Sequence, residues 1–167
     1  SGGSNATAIT QIVNRGNITL KGNYGSSTRL SGTISNLTIP DGSHFYNYGK
    51  ITYAEGKVRY IFIGGAAGYC GKKTALENIH NYGAVEVAEG TLCGSIVCGG
   101  LIAYQSSDYV AHTATHSYIK NGSNNAPISV YSSTITENPN HTNLYYRVGG
   151  LSGWTQHLIL NCNNEEK

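Results

Sequence analysis

The sequence predicts an all-β fold of stacked repeats, a parallel β-helix (β-solenoid) of four to five coils of 33–40 residues. Three observations predict it: a composition poor in charge and rich in Gly and Tyr, a recurring Asn-x-Gly triplet, and a Gly-Gly marker behind each triplet. Of 167 residues 12% are charged, 22 are Gly and 13 are Tyr, with no Met and 3 Pro. That balance suits sheets and tight turns better than helices. The length suits one domain, residues 1–167, burying roughly 70% of the surface of its unfolded chain.

The triplet recurs as Asn14-Arg15-Gly16-Asn17-Ile18, Asn47-Tyr48-Gly49-Lys50-Ile51 and Asn81-Tyr82-Gly83-Ala84-Val85, with a looser copy at Asn121-Gly122-Ser123 leading to Ile128. Coils therefore start near 14, 47, 81 and 121, spaced by 33, 34 and 40 residues, and a fifth starts near Asn161. The second marker is Leu30-Ser31-Gly32, Ile63-Gly64-Gly65, Cys98-Gly99-Gly100-Leu101 and Val148-Gly149-Gly150-Leu151-Ser152-Gly153. From triplet Asn to the first Gly position the intervals are 17, 17, 18 and 28, so the last copy carries an insertion of about ten residues.

Aligned copies stack apolar residues into columns, which is how a solenoid builds one core from units that cannot fold alone. Ile18, Ile51, Val85 and Ile128 form one column. Two residues on, as strand alternation requires, come Leu20, Tyr53, Val87 and Val130. Leu30, Ile63, Cys98 and Val148 form a third, and Ile12, Phe45, Ile79, Ile119 and Ile159 precede the triplets. The triplet Gly is expected to supply a positive-φ turn, with Asn163 standing in for it in the fifth copy, and the triplet Asn to hydrogen-bond its own turn. Ending at Lys167 within a coil, without a polar cap, predicts a piece of a longer repeat protein with flanking repeats or domains.

The Asn-Tyr-Gly-x-Ile/Val strand followed by Gly-Gly-Leu-x-Gly, with Gly150-Leu151-Ser152-Gly153 as its clearest copy, resembles the GLUG-like repeats of Bacteroidales-type cell-surface proteins. Similar repeats occur in bacterial adhesins and beside the protease domain of some immunoglobulin-A-cleaving enzymes. The resemblance covers roughly residues 11 to 163, and it departs at Ser31 in copy one and at the insertion of copy four. It implies a right-handed parallel β-helix at the bacterial surface in an adhesion or host-interaction role.

Composition excludes several function classes. A formal charge of +2 with scattered Lys and Arg offers no stripe for a phosphate backbone, so nucleic acid is not an expected partner. No apolar run approaches the ~20 residues of a membrane span. Ser1-Gly2-Gly3-Ser4 lacks the regions of a signal peptide, so an exported chain would have its signal removed or outside this sequence. The paired glycines lack the Lys of a phosphate-binding loop, and no G-x-S-x-G elbow occurs. Five Asn-x-Ser/Thr sequons, at Asn5, Asn17, Asn36, Asn121 and Asn140, carry little weight in an Asn- and Thr-rich chain.

Cys70, Cys93, Cys98 and Cys162 lack C-x-x-C spacing and permit three disulfide pairings between which the sequence does not choose; Cys98, in an apolar column, reads as a small buried hydrophobe. His112 and His116 lack the Glu of a zinc-protease motif. His44, His80, His141 and His157 fall near turns without an evident partner. Of nine acids, Glu55 and Glu89 occupy matching positions before a Gly and read as repeated turn residues rather than a catalytic pair. No enzyme, metal or cofactor is expected.

What remains is presentation of a surface. The sequence predicts a non-enzymatic, exported, adhesin-like module for a host or matrix glycan or protein. Its ligand residues would be Tyr109, His112, His116 and Tyr118 in the 105–120 insertion and Tyr131 and Tyr145 in the 131–145 insertion. A passive stalk, or the accessory β-helix of a large protease or glycan-degrading enzyme, is the alternative. Tyr48 and Tyr82 read as a ladder on an outer sheet face.

Overall fold

A computed structural model describes residues 11–33, 44–70, 75–105, 118–131, 146–155 and 158–165. The first pass of the chain holds β1 (Gln11–Asn14), β2 (Ile18–Lys21) and β3 (Tyr24–Ser31). The second holds β4 (His44–Asn47), β5 (Ile51–Glu55), β6 (Lys57–Gly64), β7 (Ala67–Cys70) and β8 (Ala75–Glu77). The third holds β9 (Ile79–Asn81), β10 (Val85–Val87), β11 (Leu92–Gly99), β12 (Ile102–Gln105) and β13 (Tyr118–Lys120). The fourth holds β14 (Ser123–Asn124), β15 (Ile128–Val130), β16 (Tyr146–Gly149), β17 (Ser152–Trp154) and β18 (Leu158–Leu160), and β19 (Asn163–Asn164) opens a fifth. The described residues contain no helix.

Strands pair only in parallel, each with its counterpart one pass away. They form five sheets: sheet A (β1-β4-β9-β14-β19), sheet B (β2-β5-β10-β15), sheet C (β3-β6-β11-β16), sheet D (β7-β12-β17) and sheet E (β8-β13-β18). Three of the apolar columns hold as aligned. Ile18, Ile51, Val85 and Ile128 are register partners, as are Leu20, Tyr53, Val87 and Val130, and Leu30, Ile63, Cys98 and Val148. Sheets B and C close on one apolar cluster around Ile51, Tyr53, Val85, Ile61, Ile63 and Cys98. Phe45, Ile79, Leu76, Ile119, Leu101 and Ile102 from sheets A, D and E and the turn before β12 close on a second.

Between the two clusters runs a file of asparagines. Asn14, Asn47, Asn81 and Asn124 each pass a hydrogen bond from Nδ2 to the Oδ1 of the next, ending on Asn164, at 2.7, 2.7, 2.7 and 2.8 Å. The other Nδ2 hydrogen goes to the carbonyl two residues on, at 2.9 Å from Asn14, Asn47, Asn81 and Asn124. Asn47 and Asn81 are 0% exposed and Asn124 2%. A buried carboxamide costs free energy unless paired, so the ladder is the condition for placing Asn there.

The ladder corrects the alignment of the later copies. The fourth and fifth triplets are Asn124-Asn125-Ala126 and the run from Asn164, not those from Asn121 and Asn161. The passes measure 33, 34, 43 and 40 residues, so the range widens from 33–40 to 33–43. Asn121 and Asn161 have φ of 52° and 50° and stack with Asn78, φ 54°, as left-handed corners between sheets E and A. Asn is the residue other than Gly that adopts this conformation most readily. Asn163, expected to fill a left-handed turn, is instead in strand β19. Ile119 and Ile159 leave the column of Ile12, Phe45 and Ile79 and join Leu76 in sheet E. Gly122 and Cys162 take their places, with the Gly122 N–H donating to Cys162 Sγ at 3.3 Å.

The glycines have a different reason from the one expected. Positive φ falls on Gly22, Gly56 and Gly90, not on the triplet glycines. A Cβ on Gly49 or Gly83 would lie 2.0 Å from the carbonyl oxygen of the Gly one pass earlier, so close approach of successive passes is what requires Gly. The second Gly of the Gly-Gly marker meets the ladder itself. A Cβ on Gly32, Gly65, Gly100 or Gly150 would lie 2.2 to 2.5 Å from Cγ of Asn47, Asn81, Asn124 or Asn164. The two sequence markers are thus one contact. Gly65→Ala is expected to cost about 3 kcal/mol, the scale of overpacking a filled core. Gly16→Ala, whose Cβ would have nothing nearer than 4.0 Å, stays within about 0.5 kcal/mol. Urea unfolding of both variants checks this, and equal losses would contradict it.

Candidate functional site

The aromatic side chains gather on two outer faces. On sheet A, Tyr46 stacks on His80 at 5.2 Å and Tyr48 on Tyr82 at 5.0 Å, with Arg15 over the Tyr48 ring at 5.0 Å. Register places these rings one pass apart, the ladder expected for Tyr48 and Tyr82. Rings stacked face to face spend their faces on each other and leave edges to solvent. Burial, and then repulsion from His44, lowers the pKa of His80, whose Nδ1 lies 2.9 Å from Ser123 Oγ. This face therefore stiffens the stack more than it offers a stacking platform.

A second assembly sits where sheet D turns against sheet C. The small residues Gly68, Ala103 and Gly153 share a level of sheet D, and a Cβ on Gly68 or Gly153 would lie 2.8 or 2.7 Å from the backbone oxygen of Leu30 or Cys98. That close approach puts the next residues, Tyr69, Tyr104 and Trp154, beside the outer side chains of sheet C. Tyr69 stacks on Tyr104 at 5.1 Å, and Trp154 meets Tyr104 edge-on at 5.1 Å. Phe62 of sheet C closes the cluster edge-on to Tyr69 and Tyr104. Both ends are capped by guanidinium groups, Arg29 over Tyr69 at 4.0 Å and Arg147 over Trp154 at 3.5 Å.

The result is a file, Arg29–Tyr69–Tyr104–Trp154–Arg147, crossing all four passes. A guanidinium lying on a ring keeps its N–H edges in plane, where they match a carboxylate or sulfate. Among their described residues, sheets C and D also carry Lys57 and Arg59 and no acid at all. Elsewhere three acids lie beside lysines: Glu55 by Lys21 at 3.6 Å, Glu86 by Lys50 at 2.7 Å and Glu77 by Lys120 at 3.7 Å. Among the described residues, cations thus outnumber acids on sheets C and D.

Of the ligand residues expected from sequence, Tyr109, His112, His116 and Tyr145 lie outside the described residues. Tyr118 is on sheet E, where its hydroxyl donates to Glu77 Oε1 at 2.6 Å. Tyr131 follows sheet B and is 49% exposed. Different sheets hold the two, and no described contact joins them. The file was missed in the sequence, though a signal existed. Tyr69, Tyr104 and Trp154 each stand five residues after the first Gly of the marker, and Arg29 and Arg147 two before its first position, Ser31 and Gly149.

The four thiols are free. Burial pushes Cys70 and Cys98 up to about 12. Cys93 rises to about 11, burial outweighing its hydrogen bond with Thr91. Among the described residues no three His, Cys, Asp or Glu side chains converge as metal ligands. Comparison with family models, curated proteins and solved structures returns no match.

Because a thiol pKa raised above its ordinary value of 9.0 favours the folded state only while the thiol is protonated, stability is full below pH 9 and falls as pH climbs toward 12. Melting temperatures measured across that window should fall, and less steeply in Cys98→Val. An unchanged alkaline limb in that variant would contradict the assignment.

Proposed function

We propose that the chain is a right-handed parallel β-solenoid acting as a non-enzymatic, adhesin-like binding module of an exported, GLUG-like cell-surface protein, and that its partner is a host or matrix glycan bearing carboxylate or sulfate groups. The solenoid reading rests on parallel pairing of counterpart strands through four passes, and its hand on the strong preference of parallel crossovers for the right-handed form. The observation that carries the function is the arginine-capped aromatic file on sheets C and D, whose described strand residues include no acid. The half-buried ring edges supply apolar contact to a sugar and the guanidinium edges supply charge-assisted hydrogen bonds, the two components of acidic-sugar recognition. Binding rather than turnover is favoured because Glu55, Glu77 and Glu86 each lie beside a lysine, and Glu55 and Glu89 read as repeated turn residues.

The stalk is the second reading, favoured by the asparagine file and the Tyr48–Tyr82 stack, which give a stiff rod whatever its surface binds. An array of neutral, carboxylated and sulfated glycans separates the two. The adhesin reading expects selective retention of the charged glycans, weakened by salt, with Arg29→Gln losing about 1 kcal/mol, roughly five-fold in affinity, and Tyr82→Ser without effect. Absence of glycan binding, or binding indifferent to Arg29→Gln, would favour the stalk.

A further inference from the structure

One row on the arginine-capped face repeats with the stack. Tyr69, Tyr104 and Trp154 are register partners in sheet D, one to a pass, and successive ring centroids lie 5.1 Å apart. Arg29, exposed in the first pass, lies over Tyr69 at 4.0 Å and adds a fourth level to the row. The row therefore runs along the stacking direction, across strands rather than along one. Its flank on sheet C is apolar at the middle levels. There the column Arg29, Phe62, Val97, Arg147 sets Phe62 and Val97 between two arginines whose Cα atoms stand three strand spacings apart, about 14 Å.

A second direction exists on the same face. Within the second pass Lys57, Arg59, Tyr60 and Phe62 follow one another along β6 toward Tyr69, cations first and rings after. Their counterparts in the third pass differ, with Leu92 opposite Lys57, Ser95 opposite Tyr60 and Gly94 packed against the Arg59 carbonyl. Of the two directions, only the axial one offers like contacts at evenly spaced levels. Each sugar of an extended glycan chain advances by about one strand spacing, so the period of the row and the period of such a ligand agree. Contacts at neighbouring levels then reinforce one another, because the first to form holds the rest of the chain in place.

We infer that the ligand is a linear, extended acidic polysaccharide bound along the stacking axis, one sugar to a pass, with a carboxylate or sulfate on Arg29 and the following sugars along Tyr69, Tyr104 and Trp154. This rests on the acidic-glycan reading and goes beyond it in the ligand's direction, length and lack of branching. Four levels make a tetrasaccharide the shortest ligand that fills the row. A branched glycan with one acidic sugar at its tip would engage Arg29 and Tyr69 and gain nothing from the later passes.

Titration calorimetry with two linear series, β-1,4-linked uronate oligosaccharides and sulfated chondroitin fragments, each as di-, tetra- and hexasaccharide, tests this. Affinity should rise about ten-fold from di- to tetrasaccharide and level off at the hexasaccharide. Arg29→Gln should weaken every length. Tyr104→Leu should erase most of the gain from di- to tetrasaccharide, a ratio that partial unfolding of the variant would leave unchanged. Lys57→Gln, on the transverse row, should keep affinity within about two-fold. Equal affinity for all lengths, or a length gain that survives Tyr104→Leu, would overturn the inference and leave the acidic-glycan reading standing. So would a loss on Lys57→Gln as large as that on Arg29→Gln, which would turn the ligand along β6. Binding of no fragment in either series would overturn both.

Discussion

The buried asparagine file is the constraint on which the rest of this structure depends. Five carboxamides, of which Asn14, Asn47, Asn81 and Asn124 each give one hydrogen along the stack and another to their own turn, can be satisfied only if every pass arrives at the same level and register. Because an unsatisfied buried amide costs about 1–3 kcal/mol, a slip of one residue would orphan a donor and an acceptor at each level. Apolar columns alone do not enforce this: Ile, Leu and Val tolerate exchange and small shifts. The file thus supplies specificity where the two apolar clusters supply most of the drive.

The glycines follow from the file. Gly32, Gly65, Gly100 and Gly150 each abut an asparagine carboxamide from the following pass, which is why two markers well apart in sequence travel together. The same turn brings sheet D against sheet C, and on its outer side stands the arginine-capped aromatic file. Internal order and outer surface are therefore coupled. The spacing that keeps the asparagines in line also sets the rings about 5 Å apart, the strand spacing of a parallel sheet.

Much of this is legible in the sequence wherever strand alternation and a marker agree. Ile18, Ile51, Val85 and Ile128 are found because each follows a triplet at a short, nearly fixed distance. The fourth copy misleads because Asn121-Gly122 imitates the triplet, whereas the working copy, Asn124-Asn125-Ala126, has lost its Gly. Asparagine has two uses here, ladder and left-handed corner, and composition does not separate them; burial and φ do. The binding face is hidden for another reason. Its arginines and rings come from different sheets and align only after the register is known, so attention falls first on the longer segments that hold Tyr109, His112 and His116.

If the asparagine file holds the stack in register, neighbouring rungs must share energy. A double-mutant cycle on Asn47→Ala and Asn81→Ala, read by urea unfolding, measures that directly. Each single change should cost about 2–4 kcal/mol, since it orphans buried partners on both sides, and the double variant should cost at least about 1 kcal/mol less than the sum. Single costs below about 1 kcal/mol that simply add would contradict the account and return the register to apolar packing alone.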